Sequence, residues 1–137
     1  MAELVGRVLH PGAGAGSALV LDEPLSFWGG VDPESGEIVD RRHPQDGESV
    51  AGRVVVMPAG RGSSSSSTVL AEAIRAGTAP AAIILREVDE ILVLGALVAA
   101  LLDGTSLPIV QLEADRYATI QTGATVSVTA DGRVRMS

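Results

Sequence analysis

The pattern of apolar and polar residues divides the chain into three regions. Residues 1–23 contain two short apolar runs, Leu4–Leu9 and Ala18–Leu21, separated by a glycine-rich stretch, which predicts two strands joined by a hairpin or by a wide connection. Residues 24–50 form a long, mostly polar segment. A loop of this length inside a compact domain is usually functional or mobile, and we expect this one to be ordered when a ligand or partner is present.

From residue 52 onward, short apolar runs alternate with helical periodicity. The pattern predicts strands at 53–57, 81–85 and 108–112, helices at 68–76 (with Gly77 as the cap) and 89–102, and a closing hairpin of strands 125–129 and 133–136. Helical crossovers between the central strands imply that these strands are parallel, whereas the flanking hairpins suggest a second, antiparallel sheet. We therefore predict an α/β fold in which a partly parallel central sheet, a second sheet and helices form a single domain over residues 1–137.

The residue types that are absent restrict the chemistry of this chain. It contains no Cys, no Lys and no Asn, and its only histidines are His10 and His43. A Schiff base, a Walker lysine and a thiolate-bound metal or cluster are therefore excluded for this chain alone. We expect no metal site here, so metal chemistry would have to come from a partner.

The overall charge argues against nucleic acid as a ligand. The net charge is −7, which repels a phosphate backbone, and three aromatic residues, Phe27, Trp28 and Tyr117, are too few for a base-stacking platform. The longest apolar run, Ile91–Leu102, is too short to span a bilayer, and the first residues do not resemble a signal peptide. We expect a cytoplasmic protein without a membrane contact.

A glycine- and serine-rich loop, residues 58–67, connects a predicted strand to a predicted helix. Its backbone N–H groups, its hydroxyls, the helix N-terminus and the guanidinium of Arg61 together favour a bound carboxylate or phosphate. The loop lacks the lysine of a P-loop and the spacing of a dinucleotide fingerprint. It also lacks the elbow motif of a Ser-His-Asp hydrolase. The alternative is a flexible serine loop in which one hydroxyl caps the helix, and the spacing leaves both readings open.

The polar segment holds further candidates. Trp28 precedes Gly29–Gly30, and a large aromatic residue in such a loop usually anchors it to a core or an interface; the scarcity of aromatic residues favours an interface. His43 is interpreted either as an exposed loop residue, the commoner case, or as part of a cationic lining with Arg41–Arg42. Asp32 has the spacing of an exposed loop carboxylate.

Several of these motifs together resemble a known family. The stretch Leu25–Pro33, the sequence Arg42-His43-Pro44 and the sequence Gly60-Arg61-Gly62-Ser63-Ser64, with Ser67 beyond it, resemble the small, swivel-domain subunit of the aconitase X family. This resemblance implies a swivelling β/β/α domain that closes over an iron–sulfur cluster. The cluster would be carried by a separate large, Cys-bearing subunit, in a heterodimer or a larger assembly that acts as a hydro-lyase. The absence of Cys fits the half that does not ligate the cluster.

The resemblance also implies roles for individual residues. Ser63 would be the proton acceptor, and Arg61, Gly62, Ser64 and Ser67 would bind the carboxylate substrate. The residues that would line the site or the subunit interface are Ser26, Trp28, Gly29, Gly30, Asp32, Arg42 and His43. Ser66 departs from the family pattern, which commonly has Gly there; if that position requires a positive φ, a serine costs about 1 kcal/mol or shifts the loop.

The substrate implied by the resemblance is one of two small hydroxy acids. The arginine-only composition suggests a GC-rich genome and favours a bacterial dehydratase of cis-3-hydroxy-L-proline. Dehydration of mevalonate 5-phosphate, in isoprenoid synthesis, is the alternative. A stand-alone anion-binding module without catalysis is the alternative of another class.

Overall fold

The computed structural model describes residues 2–61 and 64–137. Its strands are β1 (Ala2–Val5), β2 (Arg7–His10), β3 (Gly14–Val20), β4 (Val54–Met57), β5 (Ala82–Leu85), β6 (Ile109–Gln111), β7 (Thr125–Val128) and β8 (Arg133–Met136). Its helices are α1 (Phe27–Gly30), α2 (Ser65–Ala76), α3 (Glu90–Asp103) and α4 (Ala114–Tyr117). Among the described residues, no helix is long and apolar enough to cross a membrane.

The strands lie in the order β1-β8-β7-β3-β4-β5-β6-β2. The long strand β3 belongs to both halves of this arrangement: Gly14–Ser17 pairs antiparallel with β7, and Ala18–Val20 pairs parallel with β4. Strands β4, β5 and β6 are parallel, whereas β7 and β8 form the predicted antiparallel hairpin. The prediction of a parallel unit flanked by an antiparallel sheet is therefore confirmed.

The first predicted strand is wrong in its bounds. The run Leu4–Leu9 is divided at Gly6 into β1 and β2, which lie at opposite ends of the strand order: β1 pairs with β8, and β2 pairs with β6. The backbone N–H of Gly6 donates to the carbonyl of Gly132, 2.9 Å away. Because β2 and β3 do not pair with each other, residues 11–13 between them are a wide connection and not a hairpin turn. Gly14–Gly16, predicted as part of that connection, lie in β3 instead.

The central strands β4, β5 and β6 are apolar on both faces because both faces are covered. One face packs against helices α2 and α3, and the other packs against the strands of the antiparallel sheet. This burial explains the nearly continuous Val and Ile runs of the parallel strands. The result is a three-layer β/β/α arrangement with two apolar cores.

The two long helices confirm the predicted pattern with small shifts at their ends. Helix α2 begins at Ser65, three residues earlier than predicted, and ends at Gly77, whose φ of 79° is the left-handed cap conformation expected there. Helices α2 and α3 pack closely because position 95 is glycine: a Cβ on Gly95 would lie 2.8 Å from the carbonyl oxygen of Ser67. The short helices α1 and α4 are not predicted by the sequence pattern.

The polar segment 24–50 is folded against the rest of the domain. Its apolar side chains lie in the core beneath α2 and the parallel strands, and isolated bridges join Val31 to Ile38 and Glu37 to Ser49. The buried residues are Leu25, Phe27, Val31, Ile38 and Val50. The segment is therefore a folded part of the domain, and it lies against the loop between β4 and α2.

Candidate functional site

The loop between β4 and α2 leaves the sheet at the carboxyl end of a parallel strand, where ligands bind in open α/β sheets. Its first part is held from two sides. Leu25 forms a parallel bridge with Gly60, and the carbonyl of Pro58 accepts a hydrogen bond of 2.9 Å from the N–H of Glu87. Gly62, a predicted substrate-binding residue, and Ser63, the predicted proton acceptor, lie outside the described residues. The described part of the site consists of the residues on either side of them and their contacts.

Asp89 forms one wall of this loop. Its Oδ1 accepts hydrogen bonds from the N–H groups of Ile91 and Leu92, at 2.9 and 3.1 Å, and so caps α3. Its Oδ2 lies so close to Gly60 that a Cβ at position 60 would overlap it. The glycine therefore allows the loop backbone to pass directly over the carboxylate that starts α3.

Arg61, the predicted carboxylate-binding residue, faces an acidic partner. Its Nη2 lies 3.8 Å from Oε1 of Glu23, and both side chains are about half exposed. An exposed ion pair at this distance is weak. The guanidinium can consequently exchange Glu23 for an anion at little cost.

A closed set of hydrogen bonds joins the first turn of α2 to the polar segment. The N–H of Trp28 donates to Oγ of Ser66 at 3.3 Å, Oγ of Ser66 lies 3.2 Å from Oγ of Ser26, and Ser26 donates to the carbonyl of Trp28 at 2.9 Å. Each serine has one hydroxyl proton. Since Ser26 gives its proton to Trp28, Ser66 must donate to Ser26. We call these three residues the serine ring.

Ser66 is therefore accommodated without the strain considered above. It lies inside α2 and is almost completely buried, and among the described residues no non-glycine residue has a positive φ. The departure from the family pattern adds a hydroxyl that the neighbouring segment uses.

Ser64, Ser65 and Ser67 lie nearer the surface than Ser66. Ser64 is the exposed N-cap residue of α2. Its carbonyl accepts a hydrogen bond of 2.6 Å from the hydroxyl of Ser67. Ser67 and Thr68 line one end of a cavity of about 220 Å³ between α2 and α3. Ser67 thus borders the groove between the helices.

His43 is buried, with 4% of its surface exposed, so the expectation of an exposed loop residue is wrong. Its Nδ1 accepts from the N–H of Gln45 at 3.0 Å, which means that Nε2 carries the proton and donates to the carbonyl of Glu23 at 3.1 Å. The side chain of Gln45 also bonds both the N–H and the carboxylate of Asp22. This arrangement holds the backbone that carries Glu23, the partner of Arg61.

The remaining candidates of the polar segment form its turns. Oδ1 of Asp32 accepts from the N–H of Glu34 at 2.9 Å. Gly29 has a φ of 77° and is exposed, whereas Gly30 is buried and its carbonyl accepts from Val39. The side chain of Arg42 is exposed. Of the predicted lining residues, the structure places Ser26 and Trp28 closest to the start of α2.

The titratable groups with shifted pKa values lie outside this site. Burial raises the pKa of Tyr117, which packs beneath Arg86. Hydrogen bonds from Arg135 and Arg133 lower the pKa of Glu3.

In residues 2–61 and 64–137, no group of three or more His, Cys, Asp or Glu side chains could hold a metal ion. The sequence contains no Cys, so its side chains do not fit an iron–sulfur cluster, which thiolates hold.

Three features of the site are not evident in the sequence: the Gly60–Asp89 contact, the Arg61–Glu23 pair and the serine ring. Only the first left a signal, because Asp immediately before an apolar helical run is a typical N-cap. Nothing in the chain order indicates that this cap lies under the loop after β4.

Two sheets share strand β3, and the long helices cover one outer face. A glycine- and serine-rich loop follows the carboxyl end of a parallel strand. This arrangement defines a β/β/α domain of the swivel-domain class. The profile of the aconitase X swivel domain matches residues 3–136, so the chain belongs to this family. The resemblance noted in the sequence is confirmed.

Similar proteins include both enzymes and a solved structure. The chain is 55% identical, over 77% of its length, to a cis-3-hydroxy-L-proline dehydratase of Pseudomonas aeruginosa, but it spans only 18% of that protein. It is 44% identical to a phosphomevalonate dehydratase small subunit of Methanothermobacter thermautotrophicus, over 69% of this chain and 72% of that one. Its fold superimposes on the crystal structure of Thermococcus kodakaraensis aconitase X in the holo form with a TM-score of 0.89, at 35% identity, covering 100% of this chain and 99% of the other.

Proposed function

We propose that this chain is the small, swivel-domain subunit of an aconitase-X-type hydro-lyase, in which Ser63 accepts the proton removed from the substrate. The observation that carries the proposal is the placement of the family's loop. Residues 58–61 leave the carboxyl end of β4, Ser64 is the N-cap residue of α2, and Arg61 is loosely paired with Glu23. The similar proteins named as dehydratases, or as their small subunits, support the reaction class.

The reaction removes a proton and a hydroxyl group from adjacent carbon atoms. Oγ of Ser63, ionised as the alkoxide, would take the proton from the carbon next to the substrate carboxylate and become a neutral hydroxyl. The electron pair of that C–H bond would form the new double bond as hydroxide leaves the adjacent carbon. Arg61 would exchange Glu23 for the substrate carboxylate. The N-terminus of α2 would stabilise negative charge that develops on that group.

The chemistry of the leaving hydroxyl would be supplied from outside these residues. This chain has no Cys, and iron–sulfur clusters are held by thiolates. A large Cys-bearing subunit would hold the cluster, which would supply Lewis-acid chemistry for the hydroxyl. The small subunit would therefore be inactive alone.

We propose cis-3-hydroxy-L-proline as the substrate, because the relative with 55% identity is named for that reaction. Mevalonate 5-phosphate is the second candidate. Relatives named phosphomevalonate dehydratase small subunit are similar over most of their own length, as in Methanopyrus kandleri, with 42% identity over 84% of that chain.

The test is an anaerobic assay of the chain reconstituted with the large subunit from the same organism, on both substrates. Ser63→Ala should lower turnover by at least about 100-fold without preventing assembly, because a positioned general base contributes that much. Thr68→Ala removes an exposed hydroxyl one turn into α2 and is the matched control. Retained turnover in Ser63→Ala would remove Ser63 from this role, and an intact pair that is inactive on both substrates would overturn the proposed function.

A further inference from the structure

The neighbouring aromatic residues Phe27 and Trp28 point in opposite directions. Phe27 is completely buried in the core beneath α2, whereas Trp28 is 60% exposed. Trp28 is also the only tryptophan of the chain. A large apolar side chain held at the surface marks a candidate contact with another molecule.

The backbone beneath the Trp28 indole is fixed. The serine ring bonds both its N–H and its carbonyl, and one member of the ring, Ser66, is 2% exposed. Phe27 anchors the same turn from the core side. An aromatic side chain on a rigid support loses little conformational entropy when it is covered, which is a typical property of an interface anchor.

This support also flanks the proposed base in the sequence. Segment 25–28 is attached to the loop before Ser63, through the Leu25–Gly60 bridge, and to the helix after it, through the Trp28–Ser66 bond. The exposed Trp28 is therefore attached beside both described ends of the loop.

From this geometry, and resting on the proposed function, we infer that Trp28 is the anchor on which the large dehydratase chain docks as it covers the loop. This chain has no thiol, so under the proposed function the cluster would reach the loop on a Cys-bearing region outside these residues. In the Pseudomonas relative, the matched region is 18% of the protein, so a much larger body accompanies the domain there. Tryptophan is among the residues most often found at the energetic centre of an interface.

A second exposed apolar surface provides the matched control. Leu94, Leu97 and Leu101 lie along the outer face of α3, where Leu101 is 76% exposed. Leu101 is eleven residues beyond the start of α3, roughly 16 Å along the helix axis, whereas Asp89 at that start contacts the loop. Truncation of Leu101 removes a comparably exposed apolar side chain away from the loop.

The experiment measures the affinity of the full-length chain for the large subunit of the same organism, purified with its cluster under anaerobic conditions. Trp28→Ala should raise the dissociation constant at least about 30-fold, the effect of losing a typical anchor. Leu101→Ala should change it by less than about 3-fold. Trp28→Phe should lie between wild type and Trp28→Ala, which keeps the comparison available if the alanine variant folds poorly.

Turnover measured at a saturating concentration of the large subunit distinguishes a docking role of Trp28 from a catalytic role. An anchor acts through assembly, so excess large subunit should restore Trp28→Ala to within about 3-fold of wild-type turnover. A large turnover defect that persists at saturation would overturn the docking role. Wild-type affinity in Trp28→Ala, or a greater loss in Leu101→Ala, would overturn it as well, while leaving the proposed function intact if the wild-type pair is active.

A spectroscopic measurement detects the same contact without an activity assay. Incorporation of 5-fluorotryptophan into this chain gives a single ¹⁹F resonance, because there is one tryptophan. The resonance should shift on addition of the unlabelled large subunit and stay unchanged when the concentration of the labelled chain alone is raised. A shift produced by self-association alone would assign the surface to a second copy of this chain and overturn the inference.

Discussion

Gly60 lies directly on the carboxylate of Asp89, so that a Cβ at position 60 would overlap Oδ2. The contact joins the loop after β4 to Asp89, the N-cap residue of α3. Because Asp89 also accepts the N–H groups of Ile91 and Leu92, the side chain has little freedom to move away. The path of the loop and the start of α3 are thus fixed by the same carboxylate.

Gly60→Ala should therefore displace the loop. The added methyl group forces Asp89 or the loop backbone to shift, and overpacking of this kind typically costs about 1–3 kcal/mol. We expect a lower free energy of unfolding in urea and a larger relative loss of turnover in the assembled enzyme. Gly47→Ala is the control for loss of a glycine, since a Cβ there meets nothing within 4 Å, although its φ of 92° adds backbone strain. Unchanged turnover in Gly60→Ala would contradict a fixed loop.

Asp89→Ala removes the cap of α3, and we expect a loss of about 1 kcal/mol in the free energy of unfolding. Asp89→Asn keeps an oxygen for the helix N–H groups and should be close to wild type in stability. The two variants separate the cap from the charge, since only the alanine variant loses the hydrogen bonds. Equal destabilisation by both would show that the charge of Asp89, and not its hydrogen bonds, stabilises the start of α3.

His43→Ala should destabilise the segment that carries Glu23. The variant removes the side-chain partner of the Gln45 N–H and of the Glu23 carbonyl, and each lost hydrogen bond costs about 0.5–1.5 kcal/mol. The measurement is urea unfolding. Arg42→Ala, at the exposed neighbouring position, should stay within about 0.5 kcal/mol of wild type. A larger loss in Arg42→Ala than in His43→Ala would contradict the structural role of the imidazole.

The sequence pattern was sufficient for the elements whose neighbours are near in the chain. The parallel strands are short runs of β-branched residues covered on both faces, and α2 ends at a glycine, so composition and spacing indicate both. The division of Leu4–Leu9 at Gly6 was missed because its cause is long-range: β1 pairs with the last strand of the chain, and β2 pairs with β6.

The sequence predicts the motif of the site but not the contacts that its residues make. Five consecutive serines, Ser63–Ser67, are chemically identical in the sequence. Among the described serines 64–67, Ser66 is the buried one, and its partners Ser26 and Trp28 are distant in the chain. Burial of His43 was missed for a similar reason, because its partners, Gln45 and the distant carbonyl of Glu23, form only when the polar segment folds back on itself.

The pH dependence of stability should identify the ion pairs that fasten β1 to β8. The carboxylate of Glu3 accepts hydrogen bonds from Arg133 and Arg135, both at 2.8 Å, and bonds from Arg135 first and Arg133 second hold the pKa of Glu3 below its usual value. A carboxyl group whose pKa is lower in the folded state stabilises that state above the unfolded pKa and loses this contribution as the pH falls through the folded one.

Glu3→Gln should thus be less stable than the wild type at pH 7, and the difference should shrink as the pH drops below about 4.3, the ordinary pKa of glutamate. The effect is small because the group is exposed, and 1 M NaCl should reduce it further by screening. Urea unfolding from pH 7 to pH 3 measures the difference, with Glu34→Gln as a control that removes the same charge from an exposed turn. A difference between Glu3→Gln and wild type that is constant over this range would mean that ionisation of Glu3 does not stabilise the pairing of β1 with β8.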